Sequence, residues 1–215
     1  MRIYAFGGLG VDEKVFEHFR IDGDLIVVKW MTPQPKESLS NYVKRLLPEI
    51  DTTEPFILLG VSFGGIVAVE LSHILRPEKT IIISSITSVK ELPVLYRWVG
   101  KIDIISWLPD SLLKPPPMIM NWLFGVSKKK DKALLAQIMK DTDTVFLRWA
   151  SDKIMHWDNR KEPPNLIRIH GDKDHVLPMV KVAEKIILEG GGHFAIVTHT
   201  DKINIIINKL IEGLE

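Results

Sequence analysis

Residues 56–65 read Phe-Ile-Leu-Leu-Gly-Val-Ser-Phe-Gly-Gly, a short apolar run that ends at a serine between glycines. Ser62 lies two residues after Gly60 and two before Gly64, which is the Gly-x-Ser-x-Gly spacing of a tight turn from a strand into a helix. In such a turn the serine has strained backbone angles and presents its Oγ at the end of the sheet, while its close neighbours must lack side chains. The pattern predicts a nucleophilic serine, and a glycine-rich turn with an incidental serine is the alternative.

Other strand-like runs lie on both sides of this stretch, separated by segments with helical spacing. The run that follows Ser62 is apolar on nearly every side, as expected for a helix buried against a sheet. This alternation predicts an α/β domain with a mainly parallel sheet of about six strands, helices on both faces, and ligands bound at the carboxyl ends of the strands. The predicted strands cover residues 3–6, 25–30, 55–61, 80–85, 166–170 and 183–188.

The alternation stops between residues 86 and 165. This segment holds five of the six tryptophans and four of the seven methionines. We interpret residues 86–165 as a helical cap inserted into a single domain of residues 1–215, and its aromatic and thioether groups predict an apolar substrate pocket. A helical subdomain whose aromatic residues fill their own small core is the alternative. The candidate pocket residues are Leu9, in a glycine-rich loop near the N-terminus, and Trp122 and Trp149 in the cap.

A serine hydroxyl becomes a good nucleophile only when a base takes its proton, and the base needs a carboxylate to orient it. The fifth predicted strand is followed by His-Gly-Asp-Lys-Asp at 170–174, and the sixth by Gly-Gly-Gly-His-Phe at 190–194. Both segments lie at the strand ends where the serine is expected, in the chain order serine, acid, histidine. The spacing predicts His193 as the base and leaves Asp172 and Asp174 as candidates for the acid.

With these segments the chain resembles the α/β-hydrolase fold superfamily, in the form of a compact serine hydrolase with a helical lid. The likeness covers nearly the whole chain except the variable cap, and it is carried by residues 60–65, 170–178 and 192–194. It implies that the second aspartate, Asp174, is the acid and that Asp172 is a loop or turn-capping residue. Compared with larger members, the chain begins at their third strand and lacks their antiparallel edge.

The resemblance also implies an oxyanion hole made of two backbone amides. One belongs to Phe63, the residue after the nucleophile. The other maps to Gly8 in the first glycine loop, with Leu9 as the neighbouring alternative. Where many relatives have His-Gly, this chain has Phe6 and Gly7. Because the donor is a backbone group, this departure leaves the expected mechanism intact.

Composition excludes several classes of function. The 215 residues suit one domain, and 28 basic against 27 acidic side chains indicate neither nucleic-acid binding nor binding to an anionic membrane surface. There are no cysteines, so disulfides and thiol chemistry are excluded, and a reducing compartment fits. No signal peptide and no apolar run long enough to span a bilayer is recognisable. We therefore expect a cytoplasmic protein with no integral membrane segment, no cofactor and no metal; the oligomeric state is not predicted.

Together these features predict a serine esterase or thioesterase that cleaves a small-molecule acyl compound with an apolar portion. Ser62 would form an acyl-enzyme, His193 would carry the proton, and Asp174 would orient His193. Two alternatives remain, since a fold does not determine a reaction. One is another triad reaction on the same fold, such as carbon–carbon hydrolysis or cofactor-free perhydrolysis. The other is a small-molecule receptor with weak hydrolysis.

Overall fold

Six parallel strands form the sheet on which the candidate site is built. The structure, a computed structural model, describes residues 1–9, 13–101, 109, 113–179 and 185–214. Within these ranges the strands lie side by side in the order β2-β1-β3-β4-β5-β6, and every neighbouring pair is parallel. The predicted fold class is confirmed. The strands are β1 (Arg2–Phe6), β2 (Asp24–Val27), β3 (Phe56–Val61), β4 (Lys79–Ile83), β5 (Leu166–Gly171) and β6 (Ile186–Leu188).

Helices occupy most of the chain between and after the strands. Short 3-10 helices are formed by Glu13–Phe16, Leu47–Glu49 and Val89–Glu91. The α-helices among the described residues are α1 (Leu39–Leu46), α2 (Phe63–Ile74), α3 (Val94–Lys101), α4 (Pro117–Leu123), α5 (Lys129–Asp141), α6 (Thr144–Met155), α7 (Ala195–Thr198) and α8 (Thr200–Glu212).

The sheet is buried on both faces, which explains the continuous apolar run of β3. All six residues of β3 are buried. Leu58 packs in the core that contains α1 and α2, while Leu59 packs on the opposite face with Ile203 and Ile207 of α8. Because successive side chains of a strand point to opposite faces, one apolar strand supplies both cores.

Some element bounds differ from those expected. The second strand ends at Val27 and not at residue 30. The chain then crosses the carboxyl end of β1, where the Trp30 indole N–H donates to the carbonyl of Gly8 at 3.3 Å. Residues 11–19 have helical spacing in the sequence, whereas their described part, from Glu13, holds only the 3-10 helix Glu13–Phe16. The N-terminal part of the expected sixth strand, through residue 184, and Gly10 of the first loop lie outside the described residues.

Helices α3 to α6 all lie between residues 86 and 165, and the described part of that segment contains no strand. The assignment of 86–165 as a cap on a single domain stays a prediction. The connections around β1 and β3 open a crevice at the carboxyl edge. From β1 the chain moves to one side of the sheet, and from β3 to the other. Ligands of open α/β sheets bind in the crevice at such a switch point, and both Gly8 and Ser62 lie there.

Candidate active site

Ser62 forms a strained turn between β3 and α2. Its backbone angles are φ 53° and ψ −118°, a region that residues other than glycine rarely adopt. The turn is held by three hydrogen bonds. The Ser62 amide donates to the carbonyl of Ile83 at 3.0 Å, and the Ser62 carbonyl accepts from the Gly65 amide at 2.9 Å and from the Ser85 hydroxyl at 2.7 Å. The surrounding structure therefore imposes the conformation that exposes the hydroxyl.

The glycines around Ser62 allow three backbone segments to approach one another. A Cβ at Gly60 would overlap the backbone of Gly64 and Gly65, and a Cβ at Gly64 would overlap the carbonyl oxygens of Phe6 and Gly7. The turn therefore packs directly on the end of β1. This contact explains in physical terms why the sequence has glycine at these positions.

The structure brings Ser62, His193 and Asp174 into one hydrogen-bonded chain. The His193 Nε2 lies 2.8 Å from the Ser62 Oγ, and the His193 Nδ1 lies 2.8 Å from the Asp174 Oδ2. His193 is 5% exposed and Asp174 is 4% exposed. A carboxylate only accepts hydrogen bonds, so Nδ1 carries the proton and Nε2 is left to accept the serine hydroxyl hydrogen. This is the arrangement that a general base needs.

The Asp174 carboxylate accepts from three N–H groups and lies beside a fourth, that of His170, whose nearer acceptor is the carbonyl of Leu177 at 2.8 Å. Its Oδ1 accepts from the amides of Val176 at 2.9 Å and Leu177 at 2.8 Å. Its Oδ2 lies near His193 and also 3.2 Å from the Nε2 of His170. Burial alone would raise the pKa of Asp174, but the charge of His193 and the hydrogen bonds from His170, His193 and Leu177 outweigh it and lower the pKa. The acid therefore stays ionised at every pH where an imidazole titrates.

The lowered pKa of Asp174 predicts a pH dependence of stability. A carboxyl whose folded pKa is below its unfolded value of about 3.9 stabilises the fold above that value, and the stabilisation is lost as the pH falls toward the folded pKa. We expect the free energy of unfolding of Asp174→Asn to fall less steeply than that of the wild type between about pH 5 and pH 2. Urea unfolding at a series of pH values measures both slopes, and equal slopes would contradict the prediction.

The other aspartate of the same turn, Asp172, is exposed and has a different role. Its Oδ1 accepts from the Gly190 amide at 2.7 Å, which ties the turn after β5 to the turn after β6. The structure thus distinguishes the two candidates for the acid. The side chain of Asp174 reaches His193, while that of Asp172 bridges the two turns.

The two expected oxyanion donors belong to the residue after Ser62 and to a loop that lines the same cavity. Phe63 is the first residue of α2, so its amide has no acceptor within the helix. Gly8 and Leu9 both line the cavity onto which Ser62 opens. The carbonyl of Gly8 accepts from the Trp30 indole, as described above. Gly8 and Leu9 both remain candidates for the second donor.

An apolar cavity of about 360 Å³ lies over Ser62 and His193. Its walls come from the first glycine loop, the segment 86–165, and the loops that carry Asp174 and His193. Among the described residues, the polar side chains that line it besides Ser62 and His193 are those of Tyr96 and Ser151. The apolar side chains include those of Leu9, Val15, Met120, Phe124, Leu147 and Ile154. Such a cavity suits the apolar portion of a small ligand.

Of the three residues expected to line the pocket, only Leu9 does so. Trp122 is 62% exposed, and its ring stacks on His175 with centroids 4.5 Å apart. Trp149 instead packs on Tyr42 and Phe63, and its indole N–H donates to the carbonyl of Glu37 at 2.9 Å. A buried indole needs a partner for its N–H, and Trp149 finds one on the core side.

Sequence reasoning missed several residues around the cavity. Met120 and Leu123 line it from α4, whereas Met118, Ile119 and Trp122 of the same helix are exposed. The spacing of Met120 and Leu123 by three residues could have shown that one face of this segment points inward. Nothing in the sequence indicated Tyr96. His170 and His175, which lie next to the acid turn in the sequence, were expected only to be able to tune the site, and the structure places His170 beside Asp174.

Within the described ranges, no three His, Cys, Asp or Glu side chains are grouped as a metal ion would require. Across the same ranges, no helix is both long enough and apolar enough to cross a membrane.

Comparisons by sequence and by structure gave different results. No protein-family model and no curated protein matches the chain by sequence. Solved structures do match over nearly the full length. A thermophilic esterase has 14% identity and a TM-score of 0.73, with 98% of this chain and 89% of the other covered. A meta-cleavage product hydrolase from Pseudomonas fluorescens IP01 has 13% identity and a TM-score of 0.72, with 100% and 92% covered.

A bromoperoxidase from Bacillus anthracis is also similar, with 15% identity, a TM-score of 0.66, and 98% of this chain and 91% of the other covered. These similar structures have the α/β-hydrolase fold, and the chain shares it with them. Likeness at this level of identity concerns the fold. Arguments about the reaction depend on the geometry of the site.

Proposed function

We propose that this α/β-hydrolase-fold protein is a serine hydrolase that cleaves a small-molecule acyl compound, an ester or a thioester, with an apolar portion. The observation that carries the proposal is the unbroken hydrogen-bonded chain from Asp174 through His193 to Ser62 at the wall of an apolar cavity. A buried serine held only for stability would not need a strained backbone, a base and a buried carboxylate in line.

In the first half of the reaction, the Ser62 Oγ attacks the carbonyl carbon of the acyl group while His193 Nε2 takes the hydroxyl proton. The negative charge that develops on the carbonyl oxygen would be held by the amide of Phe63 and by that of Gly8 or Leu9. Asp174 stabilises the imidazolium, and its lowered pKa favours the charged form. The imidazolium then gives its proton to the departing oxygen or sulfur, which leaves the acyl group on Ser62.

In the second half, water enters the site of the leaving group. His193 takes a proton from this water as its oxygen attacks the acyl-enzyme, and the same proton returns to the Ser62 Oγ as the carboxylic acid is released. The bonds formed and broken balance without a cofactor. The acyl portion would lie in the cavity, where 360 Å³ of mainly apolar space removes its surface from water.

A fluorophosphonate probe tests the proposal. We expect the wild type to be labelled at Ser62, and the protein to hydrolyse a nitrophenyl ester or an acyl thioester from a panel of increasing acyl length. Peptide mapping by mass spectrometry locates the label. A folded wild type that resists both the probe and the whole panel would refute the proposal, and ligand-induced stabilisation without turnover would favour the receptor alternative.

A second reaction class has support from the comparisons. The similar structures include a meta-cleavage product hydrolase and a bromoperoxidase in addition to an esterase. An intact triad serves several reactions, and the cap decides which substrate reaches it. Product analysis after incubation with a carbon–carbon substrate, or with a carboxylic acid and hydrogen peroxide, separates carbon–carbon hydrolysis and perhydrolysis from ester hydrolysis.

A further inference from the structure

We propose that residues 122–125, at the end of α4 in the segment 86–165, hold His193 in its catalytic position, and that Phe124 is the positioning residue. We call residues 122–125 the strap. The inference rests on the proposed function, since it assigns the residue that positions His193 for its role as the base. It concerns residues that neither the serine turn nor the acid and base motifs contain.

The strap contacts the base directly. The ring of Phe124 meets the imidazole of His193 at right angles, with centroids 5.2 Å apart and an interplanar angle of 87°. On the backbone side, the Phe194 amide donates to the carbonyl of Phe124 at 3.1 Å. A side-chain contact and a backbone hydrogen bond therefore join the same strap residue to His193 and to its neighbour. An edge-to-face contact of this kind restricts rotation of the imidazole.

The backbones of the strap and of the base loop are also in close contact. A Cβ at Gly125 would lie 2.7 Å from the Cα of Gly192, and a Cβ at Gly192 would lie 2.5 Å from the carbonyl oxygen of Phe124. Gly125 has a φ of +67°, which favours glycine independently. Two glycines from segments far apart in the sequence thus allow the strap to lie directly on the residue before His193.

The acid loop is joined to the same strap. The ring of Trp122 stacks on that of His175, and the His175 Nδ1 lies 3.0 Å from the carbonyl oxygen of Trp122. His175 directly follows Asp174. The exposed indole of Trp122, which is absent from the cavity, therefore contacts the acid loop on the outer side. The strap spans both loops that must be aligned for Asp174 to hold His193.

Phe124 also lines the cavity next to Leu123. The Phe124 side chain therefore touches the space for the acyl group and the base at once, whereas Leu123 takes no part in the ring contact with the imidazole. This difference makes Leu123→Ala a matched control for Phe124→Ala. Both variants enlarge the cavity, and only one removes the contact with the imidazole.

The test uses nitrophenyl acetate, whose acyl group is too short to depend on the depth of the cavity, and nitrophenyl octanoate. Because a small misplacement of a catalytic group can cost about 100-fold in rate, we expect Phe124→Ala to lower kcat about 10- to 100-fold for both esters. Labelling by a small fluorophosphonate should slow by a similar factor. Leu123→Ala should mainly raise KM for the octanoate. If Phe124→Ala affects only the octanoate, and only through KM, Phe124 is a pocket residue and the inference is wrong.

A second pair of variants tests the backbone contact without changing the cavity wall. Gly125 and Gly190 both have positive φ, +67° and +74°, but a Cβ at Gly190 would meet no atom within 4 Å. Both Gly→Ala variants strain the backbone similarly, and only Gly125→Ala pushes against Gly192. We expect Gly125→Ala to slow fluorophosphonate labelling at least tenfold more than Gly190→Ala. Equal labelling rates in the two folded variants would overturn the inference.

The outcomes distinguish this inference from the proposed function. A wild type that neither hydrolyses the esters nor reacts with the probe refutes the proposed function. A wild type that does both, with Phe124→Ala indistinguishable from Leu123→Ala in kcat for the acetate, refutes only the strap. Circular dichroism and thermal unfolding show whether each variant is folded, and Phe124→Leu, which keeps an apolar side chain at this position, replaces Phe124→Ala if the latter does not fold.

Discussion

Ser62→Ala and His193→Ala are each expected to lower kcat about 10⁶-fold, and the double variant no further, because nucleophile and base act as one unit. The Oγ of Ser62 and the Nε2 of His193 are 2.8 Å apart, so neither group performs its step without the other. Steady-state kinetics on the best ester of the panel measures kcat, and fluorophosphonate labelling gives an independent readout. A loss of less than about 100-fold in Ser62→Ala would show that another group is the nucleophile.

Ser84 provides a matched control for this experiment. Like Ser62, it follows a strand of the sheet and has a positive φ, 49° against 53°. Its hydroxyl is buried and has no hydrogen-bond partner in the described part of the chain. Ser84→Ala removes a hydroxyl at the same edge of the sheet without touching the triad. We expect the kcat of Ser84→Ala to stay within about twofold of that of the wild type, since a substitution that touches no reacting group has a small effect.

Glu91→Ala is expected to lower the free energy of unfolding by about 3–5 kcal/mol, because it leaves a buried guanidinium without its main partner. Arg168 of β5 is 7% exposed and Glu91 is 8% exposed. The Nη1 and Nη2 of Arg168 lie 2.6 and 3.1 Å from the Oε2 and Oε1 of Glu91, and this Oε1 also accepts from the amide and hydroxyl of Thr87. The pair fixes the start of the segment 86–165 to the sheet.

Glu162→Ala is the control for this second prediction, since Glu162 also contacts Arg168 but its side chain is 56% exposed. An exposed partner of an ion pair contributes about 0–1 kcal/mol. Urea unfolding followed by far-UV circular dichroism measures all three proteins. If Glu91→Ala and Glu162→Ala lower the free energy of unfolding equally, the burial of the Arg168–Glu91 pair does not make it more important for stability than the exposed pair. A double variant with methionine at positions 91 and 168 should recover part of the loss, because an apolar pair has no charge to bury.

The parts of the fold that the sequence predicted depend on local patterns. Apolar runs, glycine turns and helical spacing identified six strands and their order along the chain, and the sheet is confirmed. The bounds were less accurate at β2, where Trp30 crosses over the end of β1 instead of extending the strand. That residue suits a strand by propensity, but its packing across the sheet edge decides its place.

The candidate site was predicted in part for the same reason. Ser62 and His193 were named from motifs at the ends of strands, and the resemblance to the α/β-hydrolase fold selected Asp174 over Asp172. The structure places Ser62 and Asp174 in hydrogen-bond distance of His193. Their catalytic role stays a prediction until the probe is used. The pocket was predicted less well. Trp122 and Trp149 were chosen by residue type, and residue type does not say which side of a helix faces the cavity.

Local patterns in the sequence were enough to predict the serine turn, the succession of strands and His193 as the candidate base, because each is recognised from residues within a few positions of one another. The lining of the cavity, the pairing of Arg168 with Glu91 and the contact of the strap with His193 became visible only in the folded chain. These contacts join segments separated by about seventy residues or more, and no local pattern records such a pairing. The physical reason is that packing and burial are properties of the assembled layers, while spacing and backbone preference are properties of the chain.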